Sequence, residues 1–140
     1  MNCDLKEFGI GDAVCRLARE CGVEGQLLFS GSVREGELPE GVDWYYNVEL
    51  LYPDIYQNPQ KYMADAAVAP AIREKLAADH AACLNVNYRI CETPLYRALL
   101  DMSIPLSLWT PDDEGLIARF LRDGIHNITT RNAAIACRLR

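Results

Sequence analysis

The sequence predicts an α/β fold in which about five parallel strands alternate with flanking helices. Three observations predict this class: short apolar runs recur along the chain, amphipathic helical patterns separate them, and proline, threonine and glycine mark the boundaries. Strands are expected to begin near residues 26, 44, 83, 106 and 125. Alternating strands and helices favour parallel pairing through right-handed crossovers.

The first part of the chain is predicted to hold a helix, a strand, a loop and a second strand. Asp12 is the expected N-cap of the helix and Gly22 its end. The apolar face of this helix consists of Val14, Leu17 and Ala18. Residues 26–29 form a short buried strand, residues 34–42 a loop or single turn, and residues 44–50 a strand by composition.

In the middle of the chain, Pro59 begins a long helical region that continues to residue 79. Pro70 should kink this region or divide it, because proline cannot donate a helical hydrogen bond. Residues 83–88 form the next strand. Thr93 is the expected N-cap of a helix that reaches about residue 102, with Pro94 at its first position.

The last part of the chain has the pattern strand, helix, strand. Residues 106–109 are a short apolar strand, Thr110 is the expected N-cap, and Pro111 suits the first helical position. Negative charge near the helix start, which the helix dipole favours, comes from Asp112, Asp113 and Glu114. The apolar helix face consists of Leu116, Ile117, Phe120 and Leu121. Gly124 ends the helix, and residues 125–129 begin the last strand, with a terminal helix after it.

These last elements resemble the end of the glycerophosphodiester phosphodiesterase family. There, a Trp-Thr-Val-Asn strand precedes a Gly-Val-Asp-x-Ile-x-Thr-Asp strand. Here, Trp109-Thr110 is followed by an acidic helix start and by Leu-Arg-Asp-Gly-Ile-His-Asn-Ile-Thr-Thr-Arg at residues 121–131. Residues 84–88 and 93–99 are similar to the preceding stretch of that family. The likeness covers about residues 80–133 and extends more weakly back to residue 12.

The resemblance implies a single domain over residues 1–140, built as the last five or so strands of a (β/α) barrel. A closed eight-stranded barrel needs about 200 to 250 residues, so a chain of 140 residues gives a partial one. A lone partial barrel leaves two sheet edges and an inner face uncovered. A homodimer that covers this face is therefore expected. The alternative is an open, twisted α/β sheet with locally capped edges.

The family hydrolyses glycerophosphodiesters to glycerol phosphate and an alcohol, with a divalent ion such as Mg²⁺ or Ca²⁺. Its His-Arg-Gly and Glu-x-Asp motifs would precede residue 1 and do not occur in this chain. No catalytic residue and no metal ligand is therefore assigned, and an ion is expected only if the activity is retained. The chain is expected to be inactive alone, or to bind a small phosphorylated or polyol ligand at its strand ends.

Five residues near strand ends are the candidate binding residues. Asn47 and Glu49 should share one strand face, and Asn85 and Asn87 repeat that spacing. Trp109 matches the family's tryptophan at the mouth of the pocket. The alternatives are hydrogen-bonded polar pairs without a ligand and an ordinary core tryptophan.

Two positions depart from the family pattern. In the family, a lysine lies two residues after the metal-binding glutamate, and here the corresponding residue is Leu51. Thr130 stands where the family has an aspartate. Neither His80 nor His126 has a carboxylate pair at useful spacing, so both are expected to be structural or solvent-facing. The six cysteines lack a Cys-x-x-Cys pair and are expected to be free thiols.

Charge and hydropathy exclude several classes of function. With 14 basic and 20 acidic residues, the net charge of −6 disfavours nucleic acids and anionic membrane surfaces as partners. No window approaches the roughly 18 apolar residues of a membrane span. The first residues do not resemble a signal peptide, so a cytoplasmic location is expected.

A degenerate nucleotidyltransferase remains an alternative. Ser30-Gly31-Ser32 after a strand, with Asp43 further on, is similar to the phosphate loop and metal site of small nucleotidyltransferases. Tyr45 stands where the second aspartate of their Asp-x-Asp pair is expected. This alternative requires Ser32 and Asp43 to converge. A non-enzymatic oligomerisation module is the other alternative, and it requires a large apolar interface without a polar pocket.

Overall fold

The computed structural model describes residues 1–34 and 36–140, and all strands in these residues pair in parallel. One sheet has two strands, β1 (Asn2–Leu5) and β2 (Leu28–Gly31). The second has four strands in the order β3 (Tyr45–Asn47), β4 (Cys83–Asn87), β5 (Leu106–Trp109) and β6 (Asn127–Thr129). A parallel bridge between Phe29 and Trp44 links β2 to β3, so the strands follow one another in chain order.

Helices connect the strands. They are α1 (Gly11–Glu20), α2 (Pro59–Met63), α3 (Val68–Ala78), α4 (Pro94–Asp101), α5 (Glu114–Arg122) and α6 (Ala133–Leu139). Short 3₁₀ turns lie at Glu24–Gln26, Val48–Leu50 and Tyr88–Glu92. The predicted class, α/β with parallel strands and flanking helices, is confirmed, and the arrangement is that of an open, partial (β/α) barrel. No described helix is long and apolar enough to cross a membrane.

The hydrophobic core lies between the helices and one face of the strands. Alternate residues of β4 and β5 point to this face, where Leu84, Val86, Leu106 and Leu108 are almost completely buried. The helices cover them with Ile72, Leu95, Leu99 and Phe120, which are also fully buried. The opposite, inner face of the same strands carries the polar residues Asn85, Asn87 and Ser107, together with Cys83 and Trp109. The two faces therefore have different chemistry.

Strand β1 was not predicted from the sequence. Its four residues, Asn-Cys-Asp-Leu, alternate polar and apolar side chains but offer no apolar run. The pairing partner is β2, 26 positions further along the chain in the register Asn2 with Leu28. The strand forms because its backbone pairs with β2. A pattern of four residues does not show that this distant partner exists.

Two predicted helix starts are wrong. Ile10, rather than Asp12, is the N-cap of α1, and Asp12 instead pairs with Arg16 one turn later at 2.7 Å. In the last unit, α5 begins at Glu114, and the N-cap is Asp113 rather than Thr110. A carboxylate is an equally good cap, and the one closer to the apolar repeat is used.

The face predicted for α1 is also partly wrong. Leu17 is 61% exposed, and the buried positions are Gly11, Cys15 and Ala18. The cap at Thr93 is confirmed: its hydroxyl accepts a hydrogen bond from the Tyr96 N–H, with Pro94 at the first helical position.

The region from Pro59 is divided into two helices, as expected, but not at Pro70. The break lies at residues 64–67, and Pro70 occupies the first turn of α3, where a missing N–H costs nothing. Strand β3 ends at Asn47 instead of continuing to residue 50, and β6 begins at Asn127 instead of residue 125. The predicted loop over residues 34–42 includes residue 35, which lies outside the described residues.

Candidate functional site at the carboxyl ends of the strands

Four polar residues occupy one level of the inner face. The strand register pairs Asn47 with Asn85, Asn85 with Ser107, and Ser107 with Asn127. Residues that pair in a parallel ladder point to the same side of the sheet, so their side chains form a row across β3 to β6. We call these four residues the polar row.

Hydrogen bonds join the polar row in two pairs. The Asn85 side-chain amide donates to Oδ1 of Asn47 at 2.7 Å, and the Asn127 amide donates to Oγ of Ser107 at 2.9 Å. Each asparagine has two N–H donors and an acceptor oxygen, so these bonds use only part of its capacity. Ser107 is buried, whereas the three asparagines are half-buried. The row is therefore oriented by its own bonds and keeps groups with which to meet a ligand.

A second level lies one step closer to the carboxyl ends of the strands. Asn87 pairs with Trp109 in the register, and Trp109 pairs with Thr129. Tyr56, from the loop after β3, reaches over this level: its hydroxyl oxygen accepts a hydrogen bond from the Asn87 N–H at 2.9 Å. The Tyr56 and Trp109 rings meet edge to face at 5.9 Å. The peptide bond after Trp109 is cis.

Glu49 lies beside this second level, in the 3₁₀ turn Val48–Leu50 rather than on strand β3. The predicted common strand face for Asn47 and Glu49 is therefore wrong, because the chain leaves the extended conformation after Asn47. The Oε2 atom of Glu49 has no solvent contact and no hydrogen-bond partner. Burial raises the pKa of the Glu49 carboxyl group, and a hydrogen bond from its own backbone N–H lowers it by less.

The negative charge of Glu49 acts on Tyr56. Burial raises the pKa of Tyr56, and the negative charge of Glu49 raises it further, whereas the bond from the Asn87 backbone lowers it. Tyr56 therefore keeps its phenolic proton at neutral pH. Its oxygen already accepts one bond, so the proton is available as a donor in this corner of the site.

Hydrogen bonds join two loops at the neighbouring end of the site. The Asp112 carboxylate accepts hydrogen bonds from the backbone N–H and the guanidinium of Arg131, each at 2.9 Å. The Thr130 hydroxyl donates to the same carboxylate at 3.3 Å. Thr130 therefore joins the loop after β5 to the loop after β6.

The structure thus brings together the five candidate binding residues named from the sequence. Glu49, however, lies in a 3₁₀ turn and not on strand β3. It adds Tyr56, Ser107 and Asn127. The last two lie in alternating strand patterns, and their register with Asn85 would have indicated them. Tyr56 lies in an irregular loop, and no local pattern in the sequence marks it.

Other predicted features lie away from this site. The Asp43 carbonyl accepts a hydrogen bond from the Phe29 N–H at 3.1 Å, whereas Ser32 follows the opposite end of β2, about 10 Å further along. Ser32 and Asp43 therefore do not converge. His80 and His126 are both exposed, and the His126 ring meets Tyr45 at 5.9 Å. All six cysteines are free thiols.

The described site does not fit the divalent ion that the resemblance implies. Beside the polar row the carboxylate is Glu49, since Asp112 at the neighbouring end is paired with Arg131. The described part of the chain holds no cluster of three or more histidine, cysteine, aspartate or glutamate side chains. Hard cations such as Mg²⁺ take several oxygen ligands, usually including one or two carboxylates together with phosphates. Comparison with protein-family models, with curated proteins and with solved structures gives no match.

Proposed function

We propose that this chain is a glycerophosphodiester phosphodiesterase-like domain that binds a small polyol or phosphorylated ligand at its strand ends and does not hydrolyse it alone. The observation that carries the proposal is the polar row on the inner face, with Glu49 and Tyr56 beside it. Parallel (β/α) folds place their ligand sites at the carboxyl ends of the strands. A face built only for packing would carry apolar side chains here.

The count of strands supports the absence of turnover. A closed barrel of this type has eight strands, and the described residues supply six in chain order, which is two fewer. In the family that this chain resembles, the His-Arg-Gly and Glu-x-Asp motifs lie on the first strands. Neither motif occurs in these 140 residues. The acid, the base and the ion ligands are thus the groups that this chain would lack.

The test combines binding with turnover. Isothermal titration calorimetry with glycerol, glycerol 3-phosphate and glycerophosphocholine should detect binding of at least one of them, and Asn87→Ala should weaken it. Incubation of glycerophosphocholine with Mg²⁺ or Ca²⁺ should release no glycerol phosphate. Hydrolysis that disappears in Glu49→Gln would show that the site is catalytic, and the absence of any binding would contradict the proposal.

We also propose that the chain self-associates as a homodimer that covers the inner face. The support is the position of β1 and β6 at the two ends of the strand order, together with the polar row on the inner face. Light scattering should then give about twice the chain mass of 15.7 kDa. A monomer at all accessible concentrations would contradict this proposal. A dimer that binds none of the ligands would instead favour the oligomerisation module.

A further inference from the structure

We infer that the ligand of this site is a neutral polyol, such as glycerol or a sugar, held through its hydroxyl groups by Glu49, Tyr56 and the polar row. This inference rests on the proposed function and narrows its ligand class. It also goes beyond the resemblance, since it gives Glu49 the role of a hydrogen-bond acceptor.

The first step concerns Glu49. A buried carboxylate oxygen without a hydrogen-bond partner is energetically costly, and most buried polar atoms in proteins are satisfied. Oε2 lacks solvent contact in the described structure, so the Glu49 side chain must move for a ligand to reach this oxygen. A ligand hydroxyl would then donate to the acceptor that is unsatisfied.

The second step concerns Tyr56, which offers the complementary group. Its oxygen is occupied by the Asn87 N–H, and this bond orients the ring over the end of β4. The phenolic proton is left to donate to an incoming oxygen. Tyr56 therefore supplies a donor and Glu49 an acceptor, and the charge of Glu49 acts on Tyr56. A hydroxyl group can donate and accept at once, whereas a phosphate at neutral pH mainly accepts.

The third step concerns the surface beyond this corner. The asparagines of the polar row carry both donors and acceptors and no charge, and all three are already oriented by bonds within the row. The Trp109 and Tyr56 rings add apolar surface, against which the C–H groups of a polyol can pack. An uncharged array of this kind matches a chain of neighbouring hydroxyl groups.

The fourth step concerns charge, which disfavours an anion. The charged side chain beside the polar row is the Glu49 carboxylate, and it would repel a phosphate. At the same edge, Arg131 is paired with Asp112, while Arg89 is exposed in the turn after β4. The chain as a whole carries a net charge of −6. Arg89 is therefore the cation that an experiment must control.

The experiment compares neutral and phosphorylated probes at the same site. Calorimetric titrations with glycerol and myo-inositol are paired with titrations of glycerol 3-phosphate and inorganic phosphate. Tryptophan fluorescence of Trp44→Phe, in which Trp109 is the remaining tryptophan, gives a second readout. If Trp44→Phe does not fold, calorimetry of the natural chain decides alone.

We expect saturable binding of the neutral polyols and no stronger binding of the phosphorylated probes. Glu49→Gln should weaken polyol binding about tenfold, since a bond to a charged group is lost. Tyr56→Phe should weaken it by about fivefold, since it removes one neutral donor and keeps the ring. The matched control Glu74→Gln, an exposed position on α3, should leave the affinity unchanged.

Two results would overturn the inference, and they differ in what they say about the proposed function. Glycerol 3-phosphate that binds at least tenfold more tightly than glycerol, with Arg89→Gln removing the difference, shows a phosphate ligand and leaves the proposed function intact. No binding of any probe overturns the inference and the proposed function together.

Discussion

The two faces of the parallel strands differ in what they contribute. On the helix-covered face, Val86 and Leu108 are fully buried in the core. On the inner face, one register step away, Asn85 and Asn47 are half-buried and bonded to each other. The stability of the fold therefore comes from the outer face, because burial of apolar area is the main favourable term. The inner face contributes hydrogen bonds between polar side chains.

The largest effect is expected from a change on the helix-covered face. Leu108→Ala removes a fully buried side chain from β5 and should lower the free energy of unfolding by about 3 kcal/mol. Urea denaturation followed by circular dichroism measures this loss. The matched inner-face change, Ser107→Ala on the same strand, should cost far less. Equal losses in the two variants would remove the distinction between the faces.

A slightly smaller effect is expected where β2 approaches β1. Gly31 has φ of +86°, and a Cβ there would lie 2.2 Å from the Leu5 carbonyl oxygen. Gly31→Ala should therefore lower the free energy of unfolding by about 2 kcal/mol or more. Gly9→Ala is the control, because Gly9 has φ of +83° with open space around its Cβ position. Similar losses would mean that β1 does not pack closely on β2.

A stabilising effect is expected at Glu49. Its pKa is raised in the folded protein, so the unfolded chain loses this proton first as the pH rises above the ordinary value of 4.5. The folded state then binds more protons, and stability falls through the window between 4.5 and the higher folded value. Glu49→Gln removes this dependence and should stabilise the protein at pH 7 by about 1 kcal/mol.

The pH dependence of stability distinguishes the cost of burying the Glu49 charge from a general change in packing. Below pH 4.5 the carboxyl group is protonated in both states, and the difference between Glu49→Gln and the natural chain should shrink. Thermal unfolding at pH 4 and pH 7 provides the comparison. A variant that is less stable at pH 7 would show that the carboxylate has a partner that stabilises its charge.

The smallest effect is expected within the polar row. Asn85→Ala loses the 2.7 Å bond to Asn47 at a half-buried site, and the cost should be about 0.5 kcal/mol in the same urea experiment. Ligand affinity should fall more clearly than stability. A loss above about 2 kcal/mol would place Asn85 in the structural core and remove the reason for assigning it to binding.

Much of the fold could be predicted from the sequence because its signals are local. The apolar runs of β4 and β5, and the cap formed by Thr93 and Pro94, depend on neighbours a few residues away. Strand β1 could not be predicted, because its pairing with β2 is long-range.

In the candidate site, too, residues with local signals could be predicted and residues with long-range contacts could not. Asn85 and Asn87 could be predicted from the alternation of side chains along a strand, which needs only local spacing. Tyr56 was not, since its contact with the end of β4 spans 31 residues and lies in a loop without a repeating pattern. Glu49 was placed on the wrong element, because nothing local marks the change from strand to 3₁₀ turn after Asn47.

The most direct test is NMR of the side-chain amides during titration with glycerol and glycerophosphocholine. The asparagine cross-peaks of the inner face, Asn47, Asn85, Asn87 and Asn127, should shift together and saturate. Asn58, whose amide donates to Asp54 on an exposed surface, should stay in place. Shifts confined to Asn58 and other distant positions, or no shifts at all, would show that the polar inner face is not a ligand site.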